Sequence, residues 1–280
     1  MIRQIGSYIK IIRPVNVIIT FFSIMVAGLI CKGENFNWIT LIIASIAGAL
    51  TSAGGNVIND YYDYDIDKIN RPERVLPSGC ITKNNALIYY FFLLVLITLL
   101  IVKLNILSII IVIFANLVIY FYSYKLKKIV LVGNFTVSFF TGLAFVYGGT
   151  VTGNIKEGLI PAIFAFLINF IREIIKDTED ADGDYLNGVV TFPVLYGLKQ
   201  TRNLVLVLGS VLAVSSALPY LLGIYKIEYF LIIVAVFNPL LIYSLILFNK
   251  HSDIKVYGKV SMLLKIMMVI GVFAIYIGFK

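Results

Sequence analysis

Runs of apolar residues recur along the chain, separated by short polar stretches, and each run is about the length that crosses a bilayer as a helix. That crossing takes roughly 20 mostly apolar residues. Nine stretches qualify, near 14–32, 38–57, 83–102, 105–122, 132–151, 158–176, 203–222, 227–247 and 259–278. They predict an all-α, polytopic membrane protein with nine transmembrane helices and no residues left for a soluble domain. A different pattern precedes the first run. Ile2, Ile5, Ile9 and Ile12 recur at helical spacing in a basic segment that ends at Pro14. This predicts an interfacial helix, not a cleaved leader, feeding into the first span. Pro14 suits the first turn of that span, where its missing N–H is no loss.

Composition agrees. The chain has 280 residues, 60% hydrophobic and 14% charged, with a mean hydropathy of +0.95. A soluble domain would carry roughly a quarter charged residues. The net charge of +8 matters through its placement. Arg3, Lys10 and Arg13 precede the first span. Lys68, Arg71, Arg74 and Lys83 follow the second, and Lys125, Lys127 and Lys128 the fourth. Arg172, Lys176, Lys199 and Arg202 surround the loop after the sixth, and Lys250, Lys255 and Lys259 the loop after the eighth. The alternate loops and the C-terminus hold only Lys32, Lys103, Lys156, Lys226 and Lys280. By the positive-inside rule, the N-terminus and the loops after even-numbered spans are cytoplasmic in a multi-pass cell-membrane protein, and the C-terminus is outside. Topology thus accounts for the basic balance, and no nucleic-acid partner is needed. Cys31 and Cys80 fall on opposite sides and are too few for a disulfide framework or a thiolate metal site. His251, beside Lys250 and near Asp253, reads as a solvated loop residue.

The acidic residues gather after the second and sixth spans. The first stretch reads Asn56-Val-Ile-Asn59-Asp60-Tyr-Tyr-Asp63-Tyr-Asp65-Ile-Asp67, and the second Glu173-Ile-Ile-Lys176-Asp177-Thr-Glu179-Asp180-Ala-Asp182-Gly-Asp184. At about 100° per residue, Asn56, Asn59, Asp60, Asp63 and Asp67 share one helical stripe, and Asp65 points away. Glu173, Asp177, Asp180 and Asp184 share another. Asn56, Asp60, Asp63 and Asp67 step by four, three and four, and so does the second set. Asn70 and Asn187 follow, then Pro77 and Pro193. The match predicts a pseudo-repeat, 14–122 and 132–247, with a ninth helix at 259–278, within one membrane domain spanning 1–280.

Like charges stacked on one helix face are unfavourable, and more so beside a bilayer, unless a cation compensates them. Aspartate, asparagine carbonyl and phosphate oxygens are hard ligands suited to Mg²⁺. Two such clusters facing one another could hold Mg²⁺ ions with a diphosphate between them. Arg71 and Arg74 follow the first motif, Lys125 and Lys127 come after Tyr122, and Arg172 and Lys176 flank the second motif. Guanidinium is a bidentate phosphate binder. A cation or phosphate transporter is the reading from another class. The acids lie at span ends, whereas transporter sites sit near the midplane.

Asn59-Asp60-x-x-Asp63-x-x-x-Asp67, followed by Asn70-Arg71-Pro72-x-Arg74-x-Leu76-Pro77-Ser78-Gly79, resembles the first signature of the UbiA-type intramembrane prenyltransferases. Lys176-Asp177-x-x-Asp180-x-x-Gly183-Asp184 resembles the second, and the nine-span layout extends the likeness over the whole chain. The resemblance implies helices around a central cavity, a cytoplasmic cap carrying Arg71, Arg74, Lys125 and Lys127, and Mg²⁺-dependent transfer of a polyprenyl group from its diphosphate to a lipid-like acceptor. It implies that Asn59, Asp63 and Asp67 bind one Mg²⁺–diphosphate unit, with Asn56 and Asp60 nearby. Asp177, Asp180 and Asp184 would bind the other, with Asp180 and Asp184 as metal ligands. Asn16, Tyr122, Arg172 and Lys176 join the expected substrate-binding set. Within the family the chain most resembles archaeal members that form the second ether bond of archaeal membrane lipids, joining geranylgeranyl diphosphate to geranylgeranylglyceryl phosphate. The runner-up is an aromatic prenyltransferase of quinone biosynthesis, such as one using 4-hydroxybenzoate. In either case an allylic cation must be shielded from water and steadied, and aromatic faces can do this. Tyr61, Tyr62, Tyr122 and Tyr124 are candidates, with Phe139, Phe140 and Tyr147 less favoured. The acceptor's phosphate would fall to Lys125, Lys127 or Lys128.

Overall fold

The computed structural model describes residues 2–34, 36–186 and 188–279, with side chains from residue 5 onward except at 70 and 128. The side chains of Arg3, Asn70 and Lys128, and the whole of Asn187 and Lys280, lie outside the described residues. Regular structure among the described residues is helical throughout.

The N-terminal helix α1 (Ile2–Ile11) is amphipathic, and α2 begins at Pro14 and ends at Ile30. Between them Arg13 takes a left-handed backbone (φ 53°, ψ 74°), and the two helix axes bend by 55°. Proline disfavours the α conformation in the residue before it, so the break falls where the sequence expects it. Helix α3 (Trp38–Asn70) starts at Asn37, whose side chain accepts from the Ile39 and Thr40 N–H groups at 2.8 and 3.2 Å. Helices α4 (Lys83–Ile101) and α5 (Ile106–Tyr124) are capped likewise by Thr82 and Asn105. A 3₁₀ turn, Leu126–Lys128, leads to α6 (Val132–Val151) and α7 (Ile155–Leu186). The rest comprises α8 (Phe192–Ser215), α9 (Leu218–Leu221), α10 (Ile227–Ile232), a π-helical turn Ile233–Phe237, α11 (Asn238–Lys250) and α12 (Ile254–Gly278). The π turn lies immediately ahead of Pro239. A proline ring collides with the carbonyl four residues back, and the wider turn relieves that collision.

Seven of the described helical segments are long and apolar enough to cross a membrane: α3, α4, α5, α7, α8 with α9, α10 through α11, and α12. The bent pair α1–α2 makes up to eight. Helix α6 lies where the fifth span is expected but is not among them. Asn134, Thr136, Ser138, Thr141 and Thr150 dilute its apolar character. The acidic stretches are not loops. They form the last turns of α3 and α7, uninterrupted from the apolar parts of those helices.

The chain divides into two compact units, Met1–Leu126 with Ala144–Gly158, and Lys127–Leu143 with Leu159–Lys280. In the first, α3 is central and packs on α2, α4 and α5. Its core around the acidic end includes Ile11, Val57, Ile58, Val75, Leu76 and Tyr90. In the second, α11 packs on α8 and α12, and the first half of α6 lies close against α7. A Cβ on Gly142 would fall 2.6 Å from the Ala162 carbonyl oxygen, so only glycine permits that approach.

Candidate active site

The first motif lies on the predicted stripe of α3. Asp60 and Asp67 are each only 5% exposed, Asp63 is half-buried and Asp65 faces out. Buried carboxylates need partners, and two arginines supply them. Arg74 Nη1 sits 2.6 Å from Asp67 Oδ2 and 3.6 Å from Asp60 Oδ1, and Arg13 pairs with the same Asp60 oxygen. Arg74 is held by a tight turn after α3. The Arg71 N–H donates to the Asp67 carbonyl and the Arg74 N–H to the Arg71 carbonyl, while Val75 and Leu76 are buried beneath. Arg71 itself is exposed. Asn59 Nδ2 donates to Asp63 Oδ2 at 2.9 Å. Asn56 Nδ2 donates to the Ile12 carbonyl at 2.8 Å, which commits its amide nitrogen to the end of α1.

A tyrosine cluster adjoins this helix end. Tyr62 OH donates to Tyr120 OH at 2.7 Å, and the Tyr61 and Tyr124 rings lie 5.3 and 5.4 Å from that of Tyr62. Lys83 Nζ sits 4.7 Å from the Tyr61 ring centroid and Lys68 Nζ 4.4 Å from that of Tyr64. These rings therefore already face cations. Tyr122 is half-buried near the end of α5, and Lys125, just past it, is exposed. Asn16 is exposed in the first turn of α2, where its carbonyl accepts from Thr20 Oγ1. Tyr147, 4% exposed, donates to the Ala44 carbonyl and is a packing residue.

In the second unit, Glu173, Asp177, Asp180 and Asp184 occupy the last turns of α7. Arg172 Nη1 lies 2.7 Å from Glu173 Oε1, and Lys176 Nζ 3.9 Å from Oε2. Asn134 Nδ2, from α6, donates to Asp177 Oδ2 at 2.7 Å. Asp180 is exposed, and Asp177 and Asp184 are half-buried. Lys127 is half-buried in the turn before α6. Phe139 and Phe140 belong to a ring cluster with Phe135, Phe166 and Phe170. Among the described residues, no three His, Cys, Asp or Glu side chains are grouped so as to hold a metal ion. In the first motif, Arg13, Arg74 and Asn59 occupy the carboxylates.

Sequence reasoning missed two of these partners. Arg13 reads as a topology charge, and its place before Pro14 was the one sign of a fixed turn. Asn134 reads as part of an apolar span, and an amide in such a span was the available signal.

The UbiA prenyltransferase family matches residues 20–267, and the chain belongs to that family of multi-pass membrane proteins. More particular likenesses run nearly end to end. The chain is 36% identical over 276 residues to the digeranylgeranylglyceryl phosphate synthase of Methanothermobacter thermautotrophicus, covering 98% of this chain and 96% of the relative. It is 37% identical over 281 residues to the Methanobrevibacter smithii enzyme of the same name, covering 98% of each. A solved structure reported for digeranylgeranylglyceryl phosphate synthase in membranes superposes with a TM-score of 0.83 at 34% identity, over 98% of both chains. A UbiA homolog from Archaeoglobus fulgidus bound to GPP and Mg²⁺ matches at a TM-score of 0.68 and 19% identity, over 96% of this chain and 99% of that one. At that identity the likeness concerns the fold alone.

Proposed function

We propose that this protein transfers a geranylgeranyl group from geranylgeranyl diphosphate to the hydroxyl of geranylgeranylglyceryl phosphate, making the second ether bond of an archaeal membrane lipid. The observation that carries this reading is the near-full-length identity to enzymes named digeranylgeranylglyceryl phosphate synthase. The striped carboxylates at the ends of α3 and α7, with arginine beside them, supply the matching chemistry.

The donor set suits Mg²⁺. The oxygens of Asn59, Asp63 and Asp67 on α3, and of Asp177, Asp180 and Asp184 on α7, are hard ligands. Mg²⁺ needs only one or two carboxylates and completes its shell with water and substrate phosphates. A closed cage of three acidic side chains is therefore not required. The ion would neutralise charge on the leaving diphosphate.

The chain's own groups do the rest. Arg71 and Arg74 at the first motif, and Arg172 and Lys176 at the second, bind phosphate oxygens and stabilise the charge that builds there. Lys125 and Lys127 are the proposed cations for the acceptor's phosphate. The allylic C–O bond breaks with its electron pair leaving on diphosphate. The glycerol oxygen closes the new C–O bond, and its proton passes to a carboxylate or to the departing diphosphate. The rings of Tyr62 and Tyr124 offer faces to the transient cation, whereas that of Tyr61 already faces Lys83. We assign α2 and α6 as spans alongside the other seven, giving nine, with the N-terminus and both acidic helix ends cytoplasmic under a cap of connecting loops. The basic residues gathered at those ends support this orientation.

The test is a substrate panel read by mass spectrometry. Purified protein with Mg²⁺ and both proposed substrates should release diphosphate and form the diether. Absence of that product alongside prenylation of 4-hydroxybenzoate would transfer the protein to quinone biosynthesis.

A further inference from the structure

Within the second unit, α6 meets α7 along a seam of three positions one turn apart, Asn134, Ser138 and Gly142. Gly142 lets the helices close on Ala162. Ser138 Oγ, fully buried, accepts from Asn169 Nδ2 at 3.3 Å and donates to the Asn134 carbonyl at 2.6 Å. Asn134 Nδ2 donates to Asp177 Oδ2 at 2.7 Å. The partners on α7 run in the opposite order, as antiparallel packing requires. Phe135 flanks the seam, its ring 5.2 Å from Phe166 and 6.4 Å from Phe170.

Polar side chains inside apolar helices are expensive, and a run of them ending on one carboxylate calls for a reason. Backbone-close packing at Gly142 fixes the rotation of α6 against α7. That leaves Asn134 little freedom. Only its NH₂ group can face a carboxylate, because its carbonyl oxygen would be repelled. One Asp177 oxygen is thereby engaged, and the plane of the carboxylate is set.

We propose that Asn134 is a positioning residue of the second acidic motif, whose amide orients the Asp177 carboxylate for the Mg²⁺–diphosphate unit. This rests on the prenyltransfer reading. Removing an outer partner of a metal-binding group typically weakens metal affinity by about 10- to 100-fold.

The measurement is Mg²⁺-dependent binding of a geranylgeranyl thiodiphosphate, a donor analogue that resists turnover, by calorimetry and by thermal shift. Asn134→Leu keeps the branched shape of the side chain and suits an apolar span, so the ligand-free protein should stay folded, with its melting temperature lowered by no more than the loss of one hydrogen bond to a carboxylate. Its affinity for the probe should drop by roughly 10-fold or more. Asn169→Leu, which breaks the next contact along the seam, should bind as the parent does. Asn134→Ala, which cannot clash, is read in the same way. Parent-like affinity in the Asn134 variants, or equal loss in Asn169→Leu, would overturn the inference and leave the prenyltransfer reading standing. A parent protein that does not bind the probe would defeat both.

Discussion

Arg13 and Asp60 stand 47 positions apart in the chain, yet their side chains form an ion pair on which the end of α1 meets the first acidic motif. The Asp60 side chain is 6% exposed and that of Arg13 35%. Taking Arg13 away leaves a buried carboxylate with only Arg74, at 3.6 Å. Charged hydrogen bonds contribute about 1.5–3 kcal/mol, and solvent around Arg13 discounts that. Arg13→Ala should therefore cost about 1–2 kcal/mol, seen as a lower melting temperature in detergent. Adding Asp60→Asn should restore part of the loss, since no charge then needs a partner. Equal melting of the single variant and the parent would show that the pair does not contribute.

The acids of the two stripes should separate by what they hold. Asp180 is exposed and Asp63 is only half-buried. Asp63→Ala and Asp180→Ala should each cut turnover by about 100-fold or more while folded yield and melting temperature stay near the parent's. Asp67→Ala should lose both, because Arg74 loses its 2.6 Å partner. Near-parental turnover in either of the first two variants would remove those residues from the site.

Chelation offers a direct check on the metal. Treatment with EDTA should abolish turnover, and added Mg²⁺ should restore it. Turnover that persists in EDTA would rule the metal out.

The two cysteines report on orientation. Cys31 is fully buried, whereas Cys80 is exposed. A buried thiol is out of reach of a polar reagent, and burial in apolar surroundings leaves it inert. Maleimide should therefore label only the exposed Cys80 in folded protein, and both cysteines after denaturation. In intact cells an impermeant maleimide should miss Cys80, whereas in inverted vesicles it should reach it. Labelling from outside intact cells would reverse the assigned topology.

Periodicity carried the local part of the structure. The four-three-four steps place Asp60, Asp63 and Asp67 on one face, and the exposure of Asp65 on the other agrees. Pro14 opens α2 as its position predicts. The partners of those acids were hidden because they are set by tertiary packing. Asn134 meets Asp177 across 43 residues, and Asn56 meets the Ile12 carbonyl across 44. No spacing rule connects such positions. Hydropathy also gave the helices poor ends, since it stops at the first charge whereas hydrogen bonding in α3 continues to Asn70.

That continuity has a consequence for the surrounding lipid. Helix α3 has 33 residues, a rod of about 50 Å where the hydrocarbon layer is about 30 Å. The acidic turns are thus rigidly joined to the part of the helix that the lipid grips. A thicker bilayer would draw the carboxylates toward the oil or tilt the rod, and a thinner one would lift them into water. The height of the acidic turns above the membrane is therefore set in part by the length of the surrounding hydrocarbon chains.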